Sequence, residues 1–289
     1  MNNHKKYLLS CLLAAAALVG GVSPAFSASS APALGTASDF AVLSAAPGGL
    51  GAVTCTDSTI TGDVGSSGQP ASVVQTNCTI NGAVIAPVSA GVLTDFNSAY
   101  DALAGQSCDS FLTGTLAGVT LTPGVYCFSA AAALTGTLTL SGGSNDTWLF
   151  KIGTSGTGAL TGTNFSVVMA NGASACNVTW WVAEAATMTT SDFKGTMLAG
   201  AAITSTGTAP ASPFEGRALA KAAVTLTNVA FVGCTGGTIG GTAKPKCNQG
   251  VGNGPEGCDP GNSNQGNPFR SNDELGGVPG NPGRKGGNK

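Results

Sequence analysis

Nine cysteines, fourteen carboxylates, one histidine and three tryptophans are the side chains from which this chain could build chemistry. His4 stands beside Lys5 and Lys6, ahead of an apolar run from Tyr7 to Val22, and small residues follow at Ser23, Ala25, Ser27 and Ala28. Basic, apolar and small in that order predicts a secretory signal peptide over residues 1–28, cleaved around Ala25–Ala28. Its apolar run is below the roughly 18 residues that span a bilayer, so no membrane span is expected after cleavage. His4 leaves with the signal, and a mature chain without imidazole cannot form a Ser-His-Asp triad. The acids Asp39, Asp57, Asp63, Asp95, Asp101 and Asp109 are scattered over turns and a helix, not paired for acid–base work. Asp39 and Asp63 sit in glycine-rich turns, where aspartate ordinarily closes the turn. Arg217, the sole arginine between residues 29 and 240, reads as a structural partner of Glu215 or of an aspartate. The expectation is a protein that is not an enzyme and carries no cofactor.

The cysteines point to staples. Cys11 goes with the signal, leaving Cys55, Cys78, Cys108, Cys127, Cys176, Cys234, Cys247 and Cys258. An even number in an exported chain favours bridges over free thiols. Pairing by neighbours gives Cys55–Cys78, Cys108–Cys127, Cys176–Cys234 and Cys247–Cys258, one of about 105 connectivities. No Cys-x-x-Cys spacing accompanies them, so no metal site is expected through sulfur; Asp259, Asn262 and Asn264 are the only oxygens placed for calcium, and packing or solvent is the simpler role. Trp148, Trp180 and Trp181 could stack on a sugar, but strand alternation turns at least one of the adjacent pair inward, which favours packing. Charged residues are 9% of the chain, and losing Lys5 and Lys6 takes the formal charge from −2 to −4. Without a basic patch to track phosphates, nucleic acid is not expected as a partner.

These groups need a scaffold, and the chain divides into three zones to supply it. Residues 29–240 are rich in Gly, Ala, Thr, Ser and Val and long enough for one domain. From 241 to 289 aliphatic residues nearly vanish, so this Gly/Asn/Pro-rich tail is expected to be disordered or clamped by Cys247–Cys258. Within the central zone Val92, Leu93, Phe96, Ala99, Tyr100 and Leu103 recur at helical spacing, with Thr94 and Asp95 in position to favour the first turns and Gly105 to stop them. The rest reads as short strands of period two separated by Gly, Asn and Ser turns. Examples are Val119–Thr122, Thr137–Leu140, Thr187–Thr189, Ile203–Thr204 and Val224–Thr227, where apolar residues turn inward and threonines outward. Threonine strands recur roughly every 20 to 27 residues, which suits coils of three strands each, although a sandwich or barrel also fits the composition.

The order of short motifs carries a resemblance. Leu34-Gly35-Thr36-Ala37-Ser38-Asp39-Phe40-Ala41-Val42-Leu43 resembles the opening of the microbial ice-binding, adhesin-like proteins. Ile60-Thr61-Gly62-Asp63-Val64-Gly65 and Leu121-Thr122-Pro123-Gly124-Val125-Tyr126 follow in the family's order. So do Leu134–Leu140, Asn171-Gly172-Ala173 with Cys176-Asn177-Val178, and Glu215-Gly216-Arg217-Ala218-Leu219-Ala220. The resemblance covers Leu34 to about Val232. It implies an all-β-dominated fold: a right-handed, discontinuous, three-faced β-solenoid (β-helix) with one long flanking α-helix, whose N-terminal segment closes against the C-terminal coils. It also implies ice binding through a flat face of outward side chains. The tail, by contrast, is similar to a recurrent ending on unrelated bacterial exported proteins.

Ice offers neither charge nor pocket, so a binder needs a flat, rigid, repeating surface of methyl and hydroxyl groups. Threonine carries both on one rotationally restricted side chain. Residues 31–240 hold 32 threonines, and those in outward slots define a candidate ice-binding face: Thr137, Thr139, Thr161, Thr187, Thr189, Thr204, Thr206, Thr225 and Thr227. Thr161-Gly162-Thr163-Asn164 is similar to a Thr-Gly-x-Asn pattern of some ice-binding relatives, though here it does not recur on every coil. Thr179, on another strand, is expected to lie off that face. The expected function is a secreted ice-binding protein, antifreeze or recrystallisation-inhibiting, acting as a monomer on the ice crystal surface. The alternative is a surface adhesin or extracellular-matrix protein on the same scaffold, bound to cell-surface or matrix components.

Overall fold

The computed structural model describes residues 33–208 and 211–234. The signal peptide over 1–28, the tail over 241–289 and the Cys247–Cys258 pairing lie outside those residues. What is described is mostly β, in two sheets whose strands all pair in parallel, with a single α-helix.

One sheet of eight strands runs, in spatial order, Val73–Thr76, Val53–Thr56, Val224–Thr227, Ile203–Thr206, Ala186–Thr189, Leu160–Ala170, Ala132–Ser141 and Val119–Leu121. The second, of twelve, has as its main path Thr79–Asn81, Thr59–Thr61, Val229–Gly233, Ser212–Ala220, Phe193–Ala199, Val178–Val182, Trp148–Ile152, Gly124–Phe128 and Ser110–Phe111. Chain order and spatial order part company at one place in each sheet. Val53–Thr56 pairs with Val224–Thr227, and Thr59–Thr61 with Val229–Gly233, so early strands lie beside the last ones. The strand Phe40–Ser44 likewise wedges between Ser212–Ala220 and Asp63–Ser66.

Alternation along each strand sends one set of side chains into the interior, where they form columns across the stack. Val53, Val224, Ile203, Ala186, Leu160 and Ala132 occupy equivalent positions and are all buried. In the second sheet the columns are aromatic. Phe150 stacks on Trp180 at 4.0 Å between ring centroids, and Phe214 on Phe231 at 4.5 Å, with Phe193 against Phe214 at 4.8 Å. Parallel in-register strands place like side chains over like, so each ring finds a partner at stacking distance. Trp148, Trp180 and Trp181 are all buried, which gives them to packing.

The helix Ala90–Ala104 covers the outer side of the second sheet. Ser89, rather than Thr94 or Asp95, is its N-cap, its side chain accepting from Val92 N–H, and Gly105 ends it. Val92, Phe96, Ala99, Tyr100 and Leu103 bury against Val125, Leu149, Trp181, Leu198 and Leu219. Asp95 faces the other way, accepting from both the N–H and the hydroxyl of Thr36 at 2.7 Å and clasping the N-terminal turn Gly35–Asp39. Those bonds hold its carboxyl below the usual aspartate range. At the far end Lys151 reaches from the sheet to the carbonyls of Ala104 and Gln106. It satisfies the final turn of the helix, although burial pushes its pKa down.

Three disulfides close within the described residues: Cys55–Cys78, Cys108–Cys127 and Cys176–Cys234. The first ties Val53–Thr56 to the corner that follows the edge strand Val73–Thr76. The last ties the end of Val229–Gly233 to the turn before Val178–Val182.

Candidate functional site

The outward positions of the eight-stranded sheet form two ranks of threonine. Register places Thr161, Thr187, Thr204, Thr225 and Thr54 side by side on successive strands, with Ala133 before them and Val74 after. Two residues along, Thr163, Thr189, Thr206, Thr227, Thr56 and Thr76 make the second rank. Between them lie Gly162, Met188, Ser205, Leu226 and Cys55, all buried. Those inward residues anchor each strand and leave each threonine no choice of side, because a one-residue slip would turn the whole set inward.

A third rank runs beside these. Two residues before each first-rank threonine stands an alanine: Ala159, Ala185, Ala202, Ala223 and Ala52, each half-buried. Their carbonyls continue the ladder, Leu160 N–H donating to Ala185, Ala186 to Ala202, Ile203 to Ala223 and Val224 to Ala52. At the opposite margin Asp57, Asn77, Asn164, Thr190 and Asn228 follow the second-rank threonines with φ between +46° and +53°. Asx residues tolerate that left-handed conformation, and it turns the chain off the sheet. Five of the strands thus repeat a frame of Ala-x-Thr-x-Thr followed by a corner residue.

The surface that results is uncharged and ordered in two directions. Equivalent threonines repeat at about 4.7–4.9 Å across the strands and about 6.6–6.8 Å along them. Exposure varies across it. Thr161, Thr163, Thr187, Thr189, Thr206 and Thr76 stand in solvent, whereas Thr54, Thr56, Thr204, Thr225 and Thr227 are half-buried between neighbours.

Seven of the nine threonines singled out from sequence fall in these ranks: Thr161, Thr187, Thr189, Thr204, Thr206, Thr225 and Thr227. Thr137 and Thr139 do not. The register shifts between Leu134 and Gly136, and beyond that bulge Thr137 pairs with Ser166 and Thr139 with Val168, off both ranks. Sequence reading missed Thr54, Thr56, Thr76 and Thr163. For Thr54, Thr56 and Thr163 the signal was the recurring Ala-x-Thr-x-Thr frame, visible in Ala52-Val53-Thr54-Cys55-Thr56 and Ala159-Leu160-Thr161-Gly162-Thr163; Thr76 lies outside that frame. Thr179 also needs correction. It lies off the face, but it is wholly buried, because its sheet is covered on that side.

The acidic residues are occupied with structure. Asp63 accepts from Ala83 N–H, Asp109 from Val125 N–H, Asp57 from the Asn77 amide, and Asp192 pairs with Lys194 at 3.0 Å. Glu215 lies nearest Lys194, not Arg217. Arg217 is instead buried, donating to the carbonyls of Ser38 and Cys234, and so joins the N-terminal turn to the final strand. Burial lowers its pKa to about 10, against the opposing charge of Asp39. Among the described residues no cluster of His, Cys, Asp and Glu is arranged to hold a metal, and no helix is long and apolar enough to cross a membrane.

The profile of the ice-binding-like family matches residues 33–232. An ice-binding protein of Nostoc sp. (strain HG1) is 39% identical over 179 residues, covering 60% of this chain and 64% of that protein. Ice-binding protein K3-B1 of Typhula ishikariensis is 34% identical over 221 residues, covering 68% of this chain and 87% of the relative. The crystal structure of an ice-binding protein from an Antarctic biological consortium superposes with a TM-score of 0.60 at 32% identity, over 71% of this chain and 91% of the other. The match thus spans just under two thirds of the Nostoc protein and most of the other two. The chain belongs to the ice-binding-like family.

Proposed function

We propose that this is a secreted, non-catalytic ice-binding protein whose ligand is the ice crystal surface. The observation that carries the reading is the pair of threonine ranks in register on one uncharged sheet. Each threonine presents a methyl and a hydroxyl at a fixed position, and the flanking alanines add a strip of methyl groups without protruding. Water ordered over such a lattice can merge with an ice plane, and many weak contacts then add along the face. Thr161, Thr187, Thr189, Thr204, Thr206, Thr225 and Thr227 are the binding residues of this proposal, joined by Thr54, Thr56, Thr76 and Thr163. We take the scaffold to be a right-handed, three-faced β-solenoid. The bulge after Leu134 and the division of Ser212–Ala220 between two partner strands support flat faces meeting at corners. Export with loss of residues 1–28 is supported by the three closed disulfides, which persist in oxidising compartments.

Growing single ice crystals in the purified mature protein tests the reading. Faceting, with a gap between melting and freezing, is the expected result. Smooth discs at every concentration would sink it and turn attention to the adhesin or matrix alternative.

A further inference from the structure

Four asparagines turn the chain at left-handed corners: Asn77, Asn164, Asn171 and Asn228, with φ between +48° and +58°. At two of them the next amide is held. Phe165 N–H donates to the Ser191 hydroxyl at 3.3 Å, and Val229 N–H to the Ser58 hydroxyl at 2.9 Å. After Asn77 comes Cys78, whose sulfur is bridged to Cys55. Asn171 has none of these restraints. The residue after it is Gly172, with a φ of +91° and open space where a Cβ would stand. Among the described residues, neither the Asn171 carbonyl nor the Gly172 N–H has a hydrogen-bond partner. The bonds of this corner pass that peptide by, Gly142 N–H and Ala173 N–H both donating to the Ala170 carbonyl. Only the exposed Asn171 side chain is tied, its amide donating to the Ser141 hydroxyl at 2.8 Å.

We infer that Asn171 is a site of spontaneous deamidation through a cyclic imide. The Gly172 amide nitrogen, losing its proton, attacks the carbonyl carbon of the Asn171 side chain. The new N–C bond closes a succinimide ring, and the side-chain nitrogen leaves as ammonia with that proton. Water then opens the ring at either carbonyl. One product is aspartate; the other is isoaspartate, with the chain rerouted through the former side chain. Water is the only co-reactant. In a folded protein the step is limited by how freely the peptide rotates and how closely its nitrogen can approach. A glycine, with no Cβ and here no hydrogen bond, permits both. A second Asn-Gly pair, Asn81-Gly82, is the internal comparison. There the Asn81 carbonyl accepts from Gly62 N–H at 3.1 Å, and Thr79–Asn81 is paired with Thr59–Thr61. A Cβ on Gly82 would collide with the Gly62 carbonyl, so that peptide is locked. The third pair, Asn253-Gly254, lies outside the described residues.

The test is to incubate the folded mature protein in mildly alkaline buffer and map its peptides, with fragmentation that separates aspartate from isoaspartate. No ice is involved, so the outcome is independent of the ice-binding reading. Both products should build up at residue 171. Asn81 should lag by roughly tenfold or more, because a paired peptide reacts only through local opening. In denaturant, where neither peptide is held, the two sites should convert alike. Ser141→Ala, which frees the Asn171 side chain, should speed conversion at residue 171. Conversion there no faster than at Asn81 in the folded chain overturns the proposal. So does an intact Asn171 in the folded chain over the time in which the denatured chain reacts.

Discussion

Thr204 and Thr225 are central to the first threonine rank, flanked on both sides by strands of the same frame. Replacing either with lysine should abolish crystal shaping, because a hydrated ammonium would hold the surface away from the lattice. Thr187→Lys, at an exposed position of the same rank, should abolish shaping too while the melting temperature barely moves, exposed substitutions changing stability by less than about 0.5 kcal/mol. Thr59→Lys, on an exposed threonine of the second sheet, is the control and should shape ice as the parent does. Equal loss in face and control variants would remove the face assignment. Thr179, the control that sequence alone suggested, cannot serve, since a lysine there would bury a charge. That error is instructive. Thr179 lies on another strand, as expected, but whether its side meets water depends on which distant segment lies over it. Thr137 and Thr139 fail for a different reason: a period-two pattern is blind to a single inserted residue, and the partner strand Leu160–Ala170 carries one between Gly162 and Phe165. Thr54 and Thr56 went unseen because their neighbours in space, Thr225 and Thr227, are far away in sequence.

At the scale of elements, the buried face of the helix and its stop at Gly105 were legible, since apolar spacing and a terminal glycine are local signals, whereas its start at Ser89 was not. Its attachment was not. Tyr100 donates to the carbonyls of Val182 and Ala183, and burial, with the charge of Asp101 adding to it, raises its pKa to about 12. A folded-state pKa above the unfolded value means that this stabilisation is complete below pH 10 and is lost as pH rises toward 12. Absorbance titration should therefore find one tyrosine ionising late, and Tyr100→Phe should flatten the alkaline fall in melting temperature while costing about 1 kcal/mol at neutral pH. If Tyr100→Phe leaves the late-ionising signal in place, the helix is not docked as described. Lys151→Met removes the amine that satisfies Ala104 and Gln106. Loss of a hydrogen-bonded charge should cost about 1.5–3 kcal/mol, and hydrogen exchange should quicken first in the last turn of the helix. Uniform exchange across the helix would argue against a local role.

For the molecule as a whole, composition changes sharply near residue 240, and the expected domain boundary rests on that change. Cutting the chain there should leave the far-ultraviolet β signal and the cooperativity of melting intact, since the deleted stretch has few apolar residues with which to build a core. A large fall in melting temperature would show that it packs on the sheets. The fold class was legible from the threonine strands and their glycine and asparagine turns, and the motif order supplied what periodicity could not, the return of the N-terminal segment to the last strands. No local pattern encodes that return. It depends on Phe40–Ser44 fitting between Ser212–Ala220 and Asp63–Ser66, and on Arg217 reaching Ser38.

The placement of Val53–Thr56 against Val224–Thr227 also bears on the order in which the protein can come into being. In a simple stack of coils, each new coil adds to the one just made, and assembly follows synthesis. Here the earliest strands can pair only with one another, Val53–Thr56 with Val73–Thr76 and Thr59–Thr61 with Thr79–Asn81, until nearly the whole domain has been translated, and the two ranks stay broken in the middle until Thr225 and Thr227 arrive to join Thr204 and Thr206 to Thr54 and Thr56. Contacts this distant in sequence slow folding, because the intervening chain must be ordered before they form. The threonine surface is therefore completed only near the end of the domain's synthesis, and a fragment stalled or cut short of residue 224 would hold most of the threonines with no continuous face.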